Sequence, residues 1–356
     1  MNLAFVDAWR QQIDWCAGGG SPVTARVLEA ALSDWLGGGT LRELIPDWNG
    51  DPLPDAVSLR VAGALHSLVL DGSDPELAAH YPPLATGFDP VAAPAAVRRA
   101  LSVHRERIAE YLQHPPQTNE VGRSAALLGG FSAIAAQTGL PLALREVGAS
   151  AGLNLLWHRY RYELGEAITW GDPSSPVLIR SEWQGYRPPL LPDIAVASWQ
   201  GCDAAPIDLG AAHAATRLAS YVWPDQHERL ARLQAAIALA KSLHVRVERA
   251  DAVFYLQREL SARRNGETTV VYHSIVWQYL DAGTQAAIRS LLDAAGERAT
   301  PAAPLAWLAL EPPHPKARPQ RVLTTWPGGQ RVILATAQPH GRFVRWGAAE
   351  TVLTAS

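Results

Sequence analysis

The run Arg145-Glu-Val-Gly-Ala-Ser-Ala-Gly-Leu-Asn154 holds the residue types best suited to chemistry, and it fits two chemistries. Gly148-Ala-Ser150-Ala-Gly152 matches G-x-S-x-G, the sharp turn that presents a nucleophilic serine. The same residues, with Glu146 ahead of them, match a glycine-rich turn whose backbone N–H groups hold a nucleotide-like ligand. Both chemistries need one local shape: an apolar strand over Leu142–Val147, a tight turn of small residues, and a helix from Ala151 to Leu164.

The serine reading requires a triad in the chain order serine, acid, histidine, and Ser150, Glu311 and His340 obey it. Such hydrolases also build several strands ahead of the serine, and a loop among those strands supplies half of the oxyanion hole. Here residues 1–140 read as helices instead. Leu3–Trp15, Pro22–Trp35, Asp55–Leu70, Ala93–Gln113 and Glu120–Thr138 carry apolar residues three and four apart. Ser21 before Pro22 forms a helix start, and Tyr81-Pro-Pro83 is one of the separating loops.

Beyond residue 141 strands alternate with helices. The strands are expected at Leu142–Val147, Ile194–Trp199, Val245–Arg249, Thr268–Ser274 and Leu305–Glu311, with a final pair at Arg321–Thr325 and Arg331–Thr336. Long helices fill His227–Ser242 and Ala282–Ala295, and residues 165–192 read as an insertion. The alternation implies an α/β fold with a mostly parallel sheet, residues 141–356, behind a helical domain, residues 1–140.

In such sheets ligands bind outside the carboxyl ends of the strands. Each end here carries a suitable group. Gly148, Ala149, Ser150 and Gly152 form the first turn. Asp203 follows the second strand and is placed to take ribose hydroxyls, with Asp208 as the competing acid. Asp251 with Ala252 follows the third and suits an adenine amino group, although Asp251 would equally cap the next helix. His273 and Ser274 follow the fourth, where His273 is the first candidate base and His340 the second; Trp277 and Tyr279 either shape an acceptor pocket or pack. Asp225 most simply begins a helix, and Asn154 braces the turn. A nicotinamide site is disfavoured, because the G-x-G-x-x-G spacing is missing.

This series resembles S-adenosylmethionine-dependent methyltransferases over residues 141–347, down to a closing antiparallel hairpin. The resemblance implies a Rossmann-like domain and S-adenosylmethionine as cofactor. Asn119, Glu120 and Arg123 would then hold its methionine end, Arg123 through a bidentate contact to the carboxylate. Thr118-Asn-Glu120 also reads as a helix cap. Ser150 departs from the family pattern by standing where glycine is usual, and no Asn/Asp-Pro-Pro-Tyr run follows the fourth strand. Over nearly the whole chain, Gln117–Ser124, Glu146–Leu155, Val222–Gln226, Tyr272–Tyr279 and Pro339–Gly341 resemble a bacterial family, domain of unknown function 2332, which implies a shared fold but no particular reaction.

The remaining composition narrows the partners. Among 356 residues, 48% are hydrophobic and 18% charged, an ordinary globular balance. A net charge of −3 offers no basic surface to nucleic acid. No basic leader and no run of about 18 apolar residues suggests a secreted or membrane-spanning chain. Cys16 and Cys202 sit in no paired or metal-binding pattern, which fits a reducing cytoplasm and argues against a metal. The expected partner is a small-molecule substrate. The expected activity is methyl transfer to an undetermined small acceptor, the alternatives being serine hydrolysis or a non-catalytic module that binds a nucleoside-like metabolite or a protein.

Overall fold

The computed structural model describes residues 3–82, 89, 91–314 and 317–351. Pro83 of the expected Tyr81–Pro83 loop lies outside them. The chain divides into two compact units, one of residues 1–118 and 211–234, the other of residues 119–210 and 235–356.

The first unit is helical. Its first segment forms α1 (Leu3–Gly18), α2 (Pro22–Leu36), α3 (Thr40–Leu44), α4 (Val57–Leu70), α5 (Pro75–Ala78), α6 (Ala92–Val103) and α7 (Arg105–Leu112). The expected single helix over Ala93–Gln113 is therefore two, broken at His104, whose ring meets the buried Asp74 at 3.1 Å. Ser21 caps α2 through the Thr24 N–H, as the Ser-Pro pair implies. Leu28, Trp35, Val61, Leu65, Leu68, Val97 and Leu101 form a continuous core. Asp225, expected to begin a helix, has its carboxylate hydrogen-bonded by the Ser21 hydroxyl.

Helix α9 (Ala214–Ser220) packs on α4 in this same unit, and α10 (His227–Ser242) carries the chain back to the second. A cavity of about 70 Å³ is lined by His66, Tyr81, Tyr221 and Trp223, among others. His66 is buried there, with Nδ1 3.1 Å from the Ser220 carbonyl. Since a carbonyl only accepts, Nδ1 carries the proton.

The second unit holds α8 (Arg123–Thr138) and a nine-stranded sheet. The strands are β1 (Leu142–Val147), β5 (Glu182–Gly185), β6 (Val196–Asp203), β7 (Glu248–Arg249), β8 (Thr268–Ser274), β9 (Leu305–Glu311), β10 (Gln320–Trp326), β11 (Gln330–Ala337) and β12 (Phe343–Thr351). They lie in the order β5-β12-β11-β10-β9-β8-β1-β6-β7. From β7 to β9 all neighbours are parallel, and β9 to β12 is an antiparallel run. This is a mixed α/β architecture whose central sheet is largely parallel.

Helices α11 (Ala252–Ser261) and α12 (Ala282–Glu297) pack on each other and on the sheet, while α8 packs on β8, β9 and β10. All seven residues of β8 are buried, as expected of a strand covered on both faces. The division of the chain near residue 140 thus moves to residue 119, because α8 is part of the sheet's covering.

One expectation within this unit is corrected and two are extended. The helix over Ala151–Leu164 is a 3₁₀ segment, Leu153–Arg159, ended by β2 (Arg161–Glu163). The insertion contains β3 (Thr169–Gly171) and β4 (Leu178–Arg180), which with β2 form a small second sheet. The expected closing hairpin is present as the antiparallel pair β10 and β11; β12 extends it antiparallel, and β5 adds to β12 in parallel.

Burial pushes the His66 imidazole down to about 4, against the opposing pull of the Ser220 carbonyl. A depressed histidine contributes stability that is present above about pH 6.5 and lost as pH falls toward 4. Urea unfolding of wild type and His66→Gln at pH 7.5 and 4.5 should therefore show wild type losing about 2–3 kcal/mol more than the variant. Equal losses would mean that His66 is not held neutral.

Candidate functional site

Strand β1 has β6 on one side and β8 on the other, so the chain leaves it in two directions. A crevice at the carboxyl ends is the usual ligand site of such a switch point. Here that end is densely hydrogen-bonded, and all of its residues lie in the second unit.

Glu146 is laterally paired with Gly201 on β6 and Tyr272 on β8. It is 2% exposed, and burial pushes its carboxyl well above the ordinary range, with the nearby Asp203 adding to the effect and Tyr272 and Arg123 opposing it. The Tyr272 hydroxyl lies 3.2 Å from Glu146 Oε2 and 3.3 Å from the Asn154 carbonyl. Its single proton cannot serve both. The carbonyl only accepts, so Tyr272 donates to it and the protonated Glu146 donates to Tyr272. Asn154 in turn accepts from the Ser124 hydroxyl at 3.0 Å, the bracing role its position implies.

The glycine turn is left-handed at three residues, Gly148 (φ +70°), Ser150 (φ +55°) and Gly152 (φ +77°). For Ser150 that conformation costs about 1–2 kcal/mol. The turn's N–H groups already have protein acceptors. Ala149 donates to the Cys202 carbonyl at 3.0 Å, Ser150 to Asp203 Oδ2 at 2.9 Å, and Leu153 to Asn119 Oδ1 at 2.8 Å. A Cβ at Gly148 would overlap a γ-methyl of Val276, and one at Gly152 would press on Val245 and Val247. The open faces of both glycines are therefore filled by valines. The Ser150 hydroxyl, by contrast, is buried with no hydrogen-bond partner among the described residues.

The other expected ligand groups fall in different settings. Asp203 also accepts from the Ala205 N–H at 2.9 Å, and Asp208 only turns the chain at Gly210. Asp251 Oδ1 caps α11 through Val253 and Phe254, ahead of Ala252. Asn119 and Glu120 do not cap α8, which begins at Arg123. Asn119 holds the Leu153 N–H and Glu120 the Gly122 N–H. Arg123 donates to the Pro339 carbonyl at 3.1 Å and the Ser274 carbonyl at 3.0 Å.

His273 is not an open base. Trp307 Nε1–H donates to its Nε2 at 3.0 Å, so Nδ1 carries the proton given to Glu311 at 2.7 Å. Glu311 also accepts the Val276 N–H at 3.0 Å, and Trp277 stacks on the ring at 5.0 Å. Tyr279 is exposed. His340 lies in the loop that Arg123 ties down; its ring Nδ1 meets the Gln338 amide at 3.4 Å, and its backbone N–H donates to the same side chain. The expected triad is thus not assembled through Glu311, which serves His273 instead.

The sequence missed Tyr272, Val276 and Trp307. Each stands in an apolar run and acquires its role only through lateral strand pairing or a loop's return, neither of which has a local signal.

The match to a family model makes the relationship plain. The chain belongs to the family described as uncharacterized proteins conserved in bacteria (DUF2332), whose model covers residues 6–346. No curated protein and no solved structure matches it. Among the described residues no helix is long and apolar enough to cross a membrane.

Two predictions follow from this geometry. A raised acid costs stability as pH climbs above the ordinary value, 4.5, by about 1.4 kcal/mol per pH unit until its own value is reached. Glu146→Gln should therefore be more stable than wild type at pH 8, with the gap closing as pH falls to 4.5; thermal unfolding across that range reads it, and a pH-independent gap would reject a neutral Glu146. Gly148→Ala should destabilise by about 2–4 kcal/mol from overlap and backbone strain. Adding Val276→Ala should recover only the overlap part in a double-mutant cycle, and strict additivity would show that Val276 does not close the turn.

Proposed function

We propose that the second unit is a Rossmann-like, methyltransferase-type domain that binds S-adenosylmethionine at the carboxyl ends of β1, β6 and β7 and passes its methyl group to a small acceptor. The observation that carries this reading is Ser150: a buried, unpartnered hydroxyl on strained backbone, braced by Asp203, at the end of the central strand of the switch point. An unsatisfied buried hydroxyl costs about 1–3 kcal/mol, and such costs concentrate at sites that meet a ligand.

The residues fit this cofactor in part. Carboxylate oxygens accept more than one hydrogen bond, so Asp203 and Asp251 keep lone pairs for ribose hydroxyls and an amino group after holding their backbone N–H groups. Ser150 offers its free hydroxyl beside them. Gly148 does not fit close approach, because Val276 covers it. Recognition therefore rests on the acids and Ser150 rather than on bare backbone, while Asn119 and Arg123 set the shape of the turn and of the Ser274 and Pro339 loops.

When bound, the cofactor supplies an electrophilic methyl group. The protein's part is to hold the acceptor in line and exclude water, which alone lowers the barrier substantially. With His273 committed to Trp307 and Glu311, the acceptor's proton leaves to solvent, so acceptors that are nucleophilic without a base are favoured.

Calorimetric titration of the whole protein with S-adenosylmethionine and with its demethylated product should give saturable binding that Asp203→Asn and Asp251→Ser both weaken at least about tenfold, which is 1.4 kcal/mol. Asp251→Ser keeps the acceptor that caps α11, and Asp203→Asn keeps one of the two oxygens that hold the Ser150 and Ala205 N–H groups, so thermal unfolding of both variants accompanies the titration. A flat titration on folded wild type would sink the proposal.

The positive φ of Ser150 also favours a second reading, serine hydrolysis, because a nucleophile turn is strained in this way. Labelling of wild type but not Ser150→Ala by a fluorophosphonate would establish that reading in place of methyl transfer.

A further inference from the structure

Arg321 is the least explained charge in the second unit. It lies on β10 and is 0% exposed. Among the described residues, none of its three guanidinium nitrogens has a hydrogen-bond partner. An arginine stays charged in proteins, and an uncompensated buried charge costs several kcal/mol.

Strand register explains where the guanidinium goes. Leu310, Arg321, Ala335, Trp346 and Gly185 stand in one lateral row across β9, β10, β11, β12 and β5. The small Ala335 between Arg321 and Trp346 leaves room for the arginine to lie along the row, its Cζ 5.3 Å from the Trp346 ring. Trp183 meets Trp346 edge-on at 4.8 Å. Both indoles are buried, and both of their N–H groups lack a partner.

Two consecutive glycines of α8 cover this row. A Cβ at Gly129 would strike the Trp346 ring, and one at Gly130 would press on Leu308 and lie 3.0 Å from Arg321 Nη1. Paired glycines inside a helix cost about 1 kcal/mol each. Here they let the helix close over the guanidinium. The ring face of Trp346 contributes a cation–π attraction of about 2 kcal/mol when desolvated, but it satisfies none of the N–H donors.

We propose that Arg321 and the flanking indole N–H groups of Trp346 and Trp183 form an internal binding site for a small monovalent anion of chloride size. A single negative charge neutralises the guanidinium, and complete burial excludes larger metabolites. The site is distinct from the β1 turn and does not depend on any reading of it.

The test is thermal unfolding of the whole protein in sodium chloride, bromide, formate or fluoride at equal ionic strength. Mass action predicts that the unfolding temperature rises with chloride or bromide concentration, by at least about 2 °C between 10 and 300 mM. Fluoride, strongly hydrated, should do less, which is opposite to the order that general salting-out produces. A formate response equal to that of chloride would assign the site to small carboxylates as well. Arg321→Met should abolish the anion dependence and Trp346→Phe should weaken it. Crystals grown in bromide should show an anomalous peak beside Arg321. A wild-type unfolding temperature indifferent to the halide, or bromide crystals with only ordered water at Arg321, would overturn the proposal even if Arg321→Met fails to fold.

Discussion

The carboxyl edge of the second unit's sheet depends on the buried Glu146, whose carboxyl is pushed by burial well above the ordinary range. The Tyr272 hydroxyl sits between it and the Asn154 carbonyl, and only a donor on the Glu146 side lets the chain of hydrogen bonds close. Through that chain β1, β8, the 3₁₀ segment and, by way of Ser124, α8 are tied at one point. An ionised Glu146 would be an uncompensated charge beside Asp203, in a place with little water. Arg123 opposes the effect of burial through its charge and donates to the Ser274 and Pro339 carbonyls.

The neighbouring aromatic box follows the same logic with opposite signs. There the carboxylate is the acceptor: Glu311 accepts hydrogen bonds from His273 Nδ1–H and from the Val276 backbone N–H. This fixes the loop after β8 so that Val276 lies over Gly148. The glycine turn after β1 is consequently shaped from the far side of β8, by a residue of β9. Two carboxyl groups, the buried Glu146 and the half-buried Glu311, hold adjacent strand ends.

Much of this was legible in the sequence. β1, β8 and β9 have the expected bounds, because each centres on a short run of apolar and β-branched residues between turn or helix signals, although Arg145 and Glu146 interrupt β1. The helices α1, α2, α4, α8 and α12 were visible by their spacing. The 3₁₀ segment was not, since Leu153–Arg159 has helical periodicity, yet Gly152 in a left-handed conformation and the Asn119 bond to Leu153 redirect it. Asp251 read ambiguously as ligand or cap, and the cap is realised. His273 misled for a different reason. Its place at a strand end marked it for chemistry, but its partners, Glu311 and Trp307, come from a strand whose alignment with β8 no local pattern encodes. Arg321 gave no warning at all, because a basic residue opening a strand ordinarily faces water.

The discontinuity of the helical unit bears on how the chain is made. Residues 211–234 complete it, and they emerge from synthesis only after β1 and β6 have been translated. Until then α4 lacks α9, and His66 lacks the Ser220 carbonyl that fixes its proton. The first unit therefore cannot be completed until the opening strands of the second have been made. Nor can it be inherited by another protein as one uninterrupted gene segment: a recombination that carried off residues 1–118 alone would deliver a bundle with an open side.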